Sequence, residues 1–135
     1  MVIQVNRKKG DSFNNMRNLT YLVFIILFLS GCLKKVDVGS FDTEVWKKDP
    51  KGCLVQRPSL IEELNKNKKG LLGLYQKDVL KVLGPPEEQE LYKRSQTYYI
   101  YYIDAADNCD MPVENPRKLY IRFTSLGIAN EVTIR

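Results

Sequence analysis

Three cysteines and no histidine set the limits of the chemistry open to this chain of 135 residues. Without an imidazole there is no His-based triad, no His metal site and no His general base. Three thiols are also too few for a zinc site built from four cysteines. The reactive positions are the cysteines themselves, and their surroundings differ. Cys32 ends an apolar run, whereas Cys53 and Cys109 lie in the turn-rich stretches Pro50-Lys51-Gly52-Cys53 and Asp107-Asn108-Cys109-Asp110.

The run before Cys32, Leu19 to Leu29, reads LTYLVFIILFL. As a helix at ~1.5 Å per residue it would be roughly 16 Å long, about half of a ~30 Å hydrocarbon core. That length suits the h-region of a signal peptide, and Arg17 supplies the positive flank before it. Met16 is an alternative start, because MRNLTYLVFIILFLSGC is a complete signal by itself. Leu29-Ser30-Gly31-Cys32 then resembles a bacterial lipobox. Cleavage is expected between Gly31 and Cys32, with lipid on Cys32. Three acyl chains at ~0.8 kcal/mol per buried CH₂ hold far more firmly than one. Leu33, rather than Asp, follows the cysteine. Under the sorting rule of enteric bacteria, this favours the outer membrane over the inner.

Removing Cys32 to lipid leaves Cys53 and Cys109. An even pair in an oxidising compartment reads as a disulfide, closing a loop of 57 residues counting both ends. A redox thiol or a metal ligand is the other reading, but there is no Cys-x-x-Cys spacing to support it.

The charge balance of +5 looks like that of a nucleic-acid binder until it is located. Residues 1–31 hold Arg7, Lys8, Lys9 and Arg17 against Asp11, leaving 17 bases and 15 acids in the other 104 residues. That near-balance points away from nucleic acid. The Asn65 to Gly70 turn (NKNKKG) reads as a solvated loop rather than a phosphate patch. Asp104, Asp107 and Asp110 lack the Gly and the bidentate Glu of a calcium loop, so no metal and no cofactor is expected.

The elements that must carry these residues follow from punctuation and period. Residues 32–58 read as a tether, with Trp46 docked on the domain that follows. Ser59-Leu60-Ile61-Glu62 fits a capping box opening a helix from about Leu60 to Asn67. Leu74 to Leu83 has one broad apolar face and ends at Gly84-Pro85-Pro86. Strands are expected at Glu90 to Lys93, Thr97 to Ile103, Lys118 to Phe123 and after Gly127, with a long connection from Asp104 to Pro116. The fold class is α+β: two short helices packed on a three- or four-stranded antiparallel sheet, over residues 59–135. The tyrosines Tyr98, Tyr99, Tyr101, Tyr102 and Tyr120 fall on these strands. Alternation puts Tyr99 and Tyr101 on one face and Tyr98 and Tyr102 on the other. They are ordinary cross-strand partners or a contact surface.

Gly73-Leu74, Val79, Leu83-Gly84 and Pro86 resemble the signature of the BamE (SmpA/OmlA) lipoprotein family. The aromatic strand, Leu119 to Phe123 and Gly127-Ile128 continue the likeness from about Gly70 to Arg135. The resemblance implies a helix pair on an antiparallel sheet, serving protein or lipid-surface contacts at the outer membrane. Tyr75 departs from it, standing where the family usually has Thr or Ser, and so does the Cys53–Cys109 pair. The expectation is a periplasm-facing lipoprotein, not an enzyme, anchored by its lipid and acting as a protein-interaction module with an envelope protein, such as an assembly accessory. The alternative is a lipid-anchored inhibitor or immunity protein.

Overall fold

The computed structural model describes Tyr21 and residues 36–135. Apart from Tyr21, the expected signal peptide, with its cut at Gly31 and lipid at Cys32, lies outside the described residues. Among those described, no helix is long and apolar enough to cross a membrane.

The first element stands where a tether was expected. Helix α1, Thr43–Lys48, is opened by Asp42, whose Oδ1 accepts from the amides of Glu44 and Val45 at 3.0 Å each. Glu44 in its first turn and Lys47 and Lys48 in its last suit the helix dipole. The helix exists to bury Trp46, which is fully buried, with Phe41 packed 5.6 Å away. From Val36 onward the chain is part of one compact unit reaching Arg135, so residues 36–58 of the expected 32–58 tether are a folded segment. Its composition is polar, but two large aromatic rings anchor it.

Two 3₁₀ turns, Pro50–Gly52 and Arg57–Leu60, lead into α2, Ile61–Asn67. The expected capping box does not form. Ser59 Oγ donates to the Gln56 carbonyl at 2.7 Å, and the 3₁₀ turn flows directly into the helix. Helix α3, Gln76–Leu83, begins two residues later than periodicity suggested. The reason is tertiary: the Leu74 carbonyl accepts from Ala129 at 2.8 Å, and Gln76 donates to Gly127 at 3.0 Å. Gly84 ends α3 at φ +78°, its amide bonded to the Leu80 carbonyl at 2.9 Å.

Strands β1 (Glu88–Tyr92), β2 (Gln96–Tyr102), β3 (Lys118–Phe123) and β4 (Ala129–Ile134) form one antiparallel sheet in the order β1-β2-β3-β4. This is the α+β class read from the sequence, with the short helices packed on the four-stranded sheet. Leu119, Ile121 and Phe123 alternate inward and are fully buried, joined by Val79, Val82 and Leu83 of α3. Tyr99 pairs with Ile121 and Tyr101 with Leu119, so both share that inner face.

Gly52 is a position where the fold leaves no room for a side chain. It has φ +68°, and a Cβ there would lie 2.7 Å from the carbonyl oxygens of Ile103 and Asp104. Gly73 has φ +80° but meets nothing within 4 Å. Gly73→Ala is therefore expected to lose only the ~1–2 kcal/mol of left-handed strain. Gly52→Ala adds a backbone clash and should lose clearly more, which thermal unfolding of the two variants will show. Equal losses would mean that the packing at Gly52 is not tight.

Candidate interaction surface

The helices cover one face of the sheet, and the residues of opposite parity make up the other. Register puts Glu88, Glu90 and Tyr92 of β1, Gln96, Tyr98, Ile100 and Tyr102 of β2, and Lys118, Tyr120 and Arg122 of β3 on this outer face. Tyr98 stands edge-on to Tyr92 at 5.4 Å and to Tyr120 at 6.3 Å. The Arg135 guanidinium carbon lies 4.3 Å from the Tyr120 ring centroid, and Lys118 Nζ lies 4.2 Å from that of Tyr102. The Tyr102 hydroxyl donates to Glu88, and this bond, with lesser contributions, holds the phenol above its ordinary range. Arg122 pairs with Glu131 at 2.7 Å. Two buried polar atoms on this face, Gln96 Oε1 and Arg122 Nε, have no hydrogen-bond partner among the described residues.

Of the five tyrosines proposed as a contact surface, the structure keeps three there: Tyr98, Tyr102 and Tyr120. Tyr99 and Tyr101 are corrected to core residues. The Tyr99 ring packs 4.7 Å from Phe123, and Tyr101 is fully buried with its hydroxyl donating to the Gly84 carbonyl at 3.0 Å. Burial, with Glu87 nearby, pushes the Tyr101 phenol far above the usual range. Tyr92, omitted from the proposed surface, completes the ladder.

Beside Tyr102 the face runs into an open pocket of about 190 Å³, lined by Lys51, Glu87, Glu88, Ala106, Asp107 and Asn108. Beneath it lies a buried polar cluster that sequence reading missed. Asp49, fully buried, accepts from the amides of Leu54 and Gln56 at 2.7 Å each and of Arg57 at 3.0 Å. Arg57 is 2% exposed and sits 4.4 Å over the Trp46 ring. Its Nε donates to the Trp46 carbonyl at 3.1 Å, and its Nη1 reaches the Tyr102 carbonyl at 2.6 Å and Glu87 Oε1 at 2.9 Å. Glu87 accepts further from the Lys51 and Tyr102 amides. Apart from the buried Trp46 Nε1, which has no hydrogen-bond partner among the described residues, the polar groups named here bond each other and the backbone, so the cluster fastens segments together. The one local hint was Asp49 before Pro50, a turn-opening pair.

Cys53 and Cys109 are joined in a disulfide, with Cα atoms 5.2 Å apart. Among the described residues, no group of three or more His, Cys, Asp or Glu could hold a metal. Two losses are expected from this corner. Glu87→Ala leaves Arg57 buried without its carboxylate, and denaturant unfolding should register about 3–5 kcal/mol. Reduction of the disulfide should lower the melting temperature, since loop closure of this length gives about 4 kcal/mol and ~1 kcal/mol shifts such a domain by about 4–8 °C. A melting point indifferent to reductant would show that the staple adds no stability. No family model, no curated protein and no solved structure matches this chain.

Proposed function

We propose that this chain is a periplasmic lipoprotein, held in the membrane by lipid on Cys32, whose folded domain is a non-catalytic protein-interaction module of the cell envelope. The observation that carries this reading is Leu29-Ser30-Gly31-Cys32 placed directly behind an apolar run of signal-peptide length. The likeness to the BamE (SmpA/OmlA) pattern supports an outer-membrane role such as an assembly accessory, and Leu33 after the cysteine favours that membrane. The domain begins at Val36, four residues past Cys32, and four residues reach at most ~14 Å. It would therefore ride close to the lipid surface. The tyrosine-lined outer face is one candidate contact surface, of the amphipathic kind that recurs at interfaces. The inhibitor reading shares the anchor and differs only in what is bound.

Globomycin should cause an uncleaved precursor to accumulate, and Cys32→Ala should abolish labelling by radioactive palmitate. A soluble secreted chain with a free thiol at Cys32 would overturn the proposal.

A further inference from the structure

We propose that the corner stapled by Cys53 and Cys109 is a docking tip, and that its occupant is a protein presenting an apolar cleft with a basic rim. This goes beyond the tyrosine face and rests on the anchored-module reading for its orientation. The corner displays large apolar side chains to water: Leu54 is 59%, Val55 55% and Met111 75% exposed. They are held there firmly. Val55 has φ +57°, a conformation a β-branched residue rarely adopts and one that persists only when its surroundings over-determine it. Its amide bonds the Gly52 carbonyl at 3.0 Å, and the amides on either side, Leu54 and Gln56, are both fixed by the buried Asp49 carboxylate. The second loop is joined to the first by the disulfide and by Ala106 donating to the Lys51 carbonyl at 3.1 Å. A rigid apolar tip loses little conformational freedom on binding.

Charge and position choose the occupant. Residues 105–116 carry Asp107, Asp110 and Glu114 and no Lys or Arg, so three acids at this corner outnumber the exposed Lys51 of the first loop, in a chain of net charge +5. Among the described residues none of the three enters an ion pair. An acidic rim disfavours an anionic lipid surface and complements a basic one. The corner also lies at the end of the sheet where β2 finishes and β3 begins. The chain enters the domain elsewhere: a Cβ on Gly70 would lie 2.5 Å from the Asp37 carbonyl oxygen, and Gly73 bonds the Ala129 carbonyl at the other end of the sheet, where β4 starts. Strands of this length separate the two ends by ~20 Å. The tip is thus far from the anchored end, where a protein rather than the bilayer would meet it.

The test places a photo-crosslinking amino acid at Leu54, at Met111 and, for comparison, at Tyr98 of the full-length lipoprotein in intact cells. Positions 54 and 111 should each give a discrete protein adduct. Its yield should fall about tenfold on Val55→Asp and on combined Asp107→Lys, Asp110→Lys and Glu114→Lys. Val55→Gly should raise the melting temperature by relieving the positive φ while lowering adduct yield, which separates docking from folding. Phospholipid adducts at position 54, adducts from position 98 alone, protein adducts indifferent to both the charge reversal and Val55→Asp, or no adduct would each overturn the proposal. Membrane fractionation of the same cells judges the anchor separately: a chain outside the membrane fraction defeats the lipoprotein reading, whatever position 54 binds.

Discussion

Burying the Arg57 guanidinium is the constraint that organises the rest of this domain. A charge removed from water without compensation costs several kcal/mol, so every partner must be in place at once. Glu87 comes from the turn between α3 and β1, the Tyr102 carbonyl from the end of β2, and the Trp46 ring and carbonyl from α1. Asp49 fixes the backbone on which Arg57 stands. Because these groups are distant in the chain, satisfying one guanidinium brings the N-terminal segment, the helix–strand turn and the sheet end into one register. A hydrophobic contact could hold the same segments together, but it would not require a particular carbonyl at a particular distance.

The links around that cluster are redundant in effect and different in physics. Gly52 lets two backbones approach to where a Cβ would clash, which needs shape alone. The disulfide ties the same stretch to the Asp104–Pro116 connection and acts chiefly on the unfolded chain. Asp104 closes that connection at its base, accepting from Arg117 Nε and Nη2 at 2.7 Å each and from its amide at 2.9 Å. Those hydrogen bonds hold the Asp104 carboxyl below its ordinary range. A depressed carboxylate adds stability above its unfolded value of ~3.9, and that stability is lost as pH falls through the lower folded value. The loop is therefore fastened covalently and by charge, and the two respond to different conditions.

Much of the frame was legible because period and punctuation are local signals. Lys118 to Phe123 announced itself as a half-buried strand, with Leu119, Ile121 and Phe123 inward, and the structure places its ends at the same residues. Gly84 before Pro85-Pro86 stopped a helix where expected. Long-range partners were not legible. The late start of α3 depends on Ala129 and Gly127, and the failed cap at Ser59 on a preceding 3₁₀ turn. The largest miss, residues 36–58, arose because composition reads as a linker whenever polar residues outnumber apolar ones. Phe41, Trp46, Asp49 and Arg57 fold it through contacts with residues up to 55 positions away, as between the Trp46 and Tyr101 rings. Cysteine arithmetic reached the pairing of Cys53 with Cys109, since a count needs no geometry. The face each tyrosine occupies followed from parity, but which face lay under the helices did not.

That parity explains why the tyrosines serve two ends. An antiparallel sheet with helices on one side leaves its other side to water. Here Ile100 points to that outer side and is only 1% exposed. Rings at Tyr98, Tyr102 and Tyr120 stand on the same face of β2 and β3. Tyrosine suits such a layer because its ring covers apolar surface while its hydroxyl reaches a polar partner, as Tyr102 does with Glu88. A face whose rings are already packed on each other, and whose charges are paired as Lys118 with Glu88 and Arg122 with Glu131, has part of its binding capacity satisfied internally. Leu54, Val55 and Met111 have no such internal use. Exposed apolar surface is therefore found not on the broadest face alone but also at the corner that Arg57, Asp49 and the disulfide hold rigid.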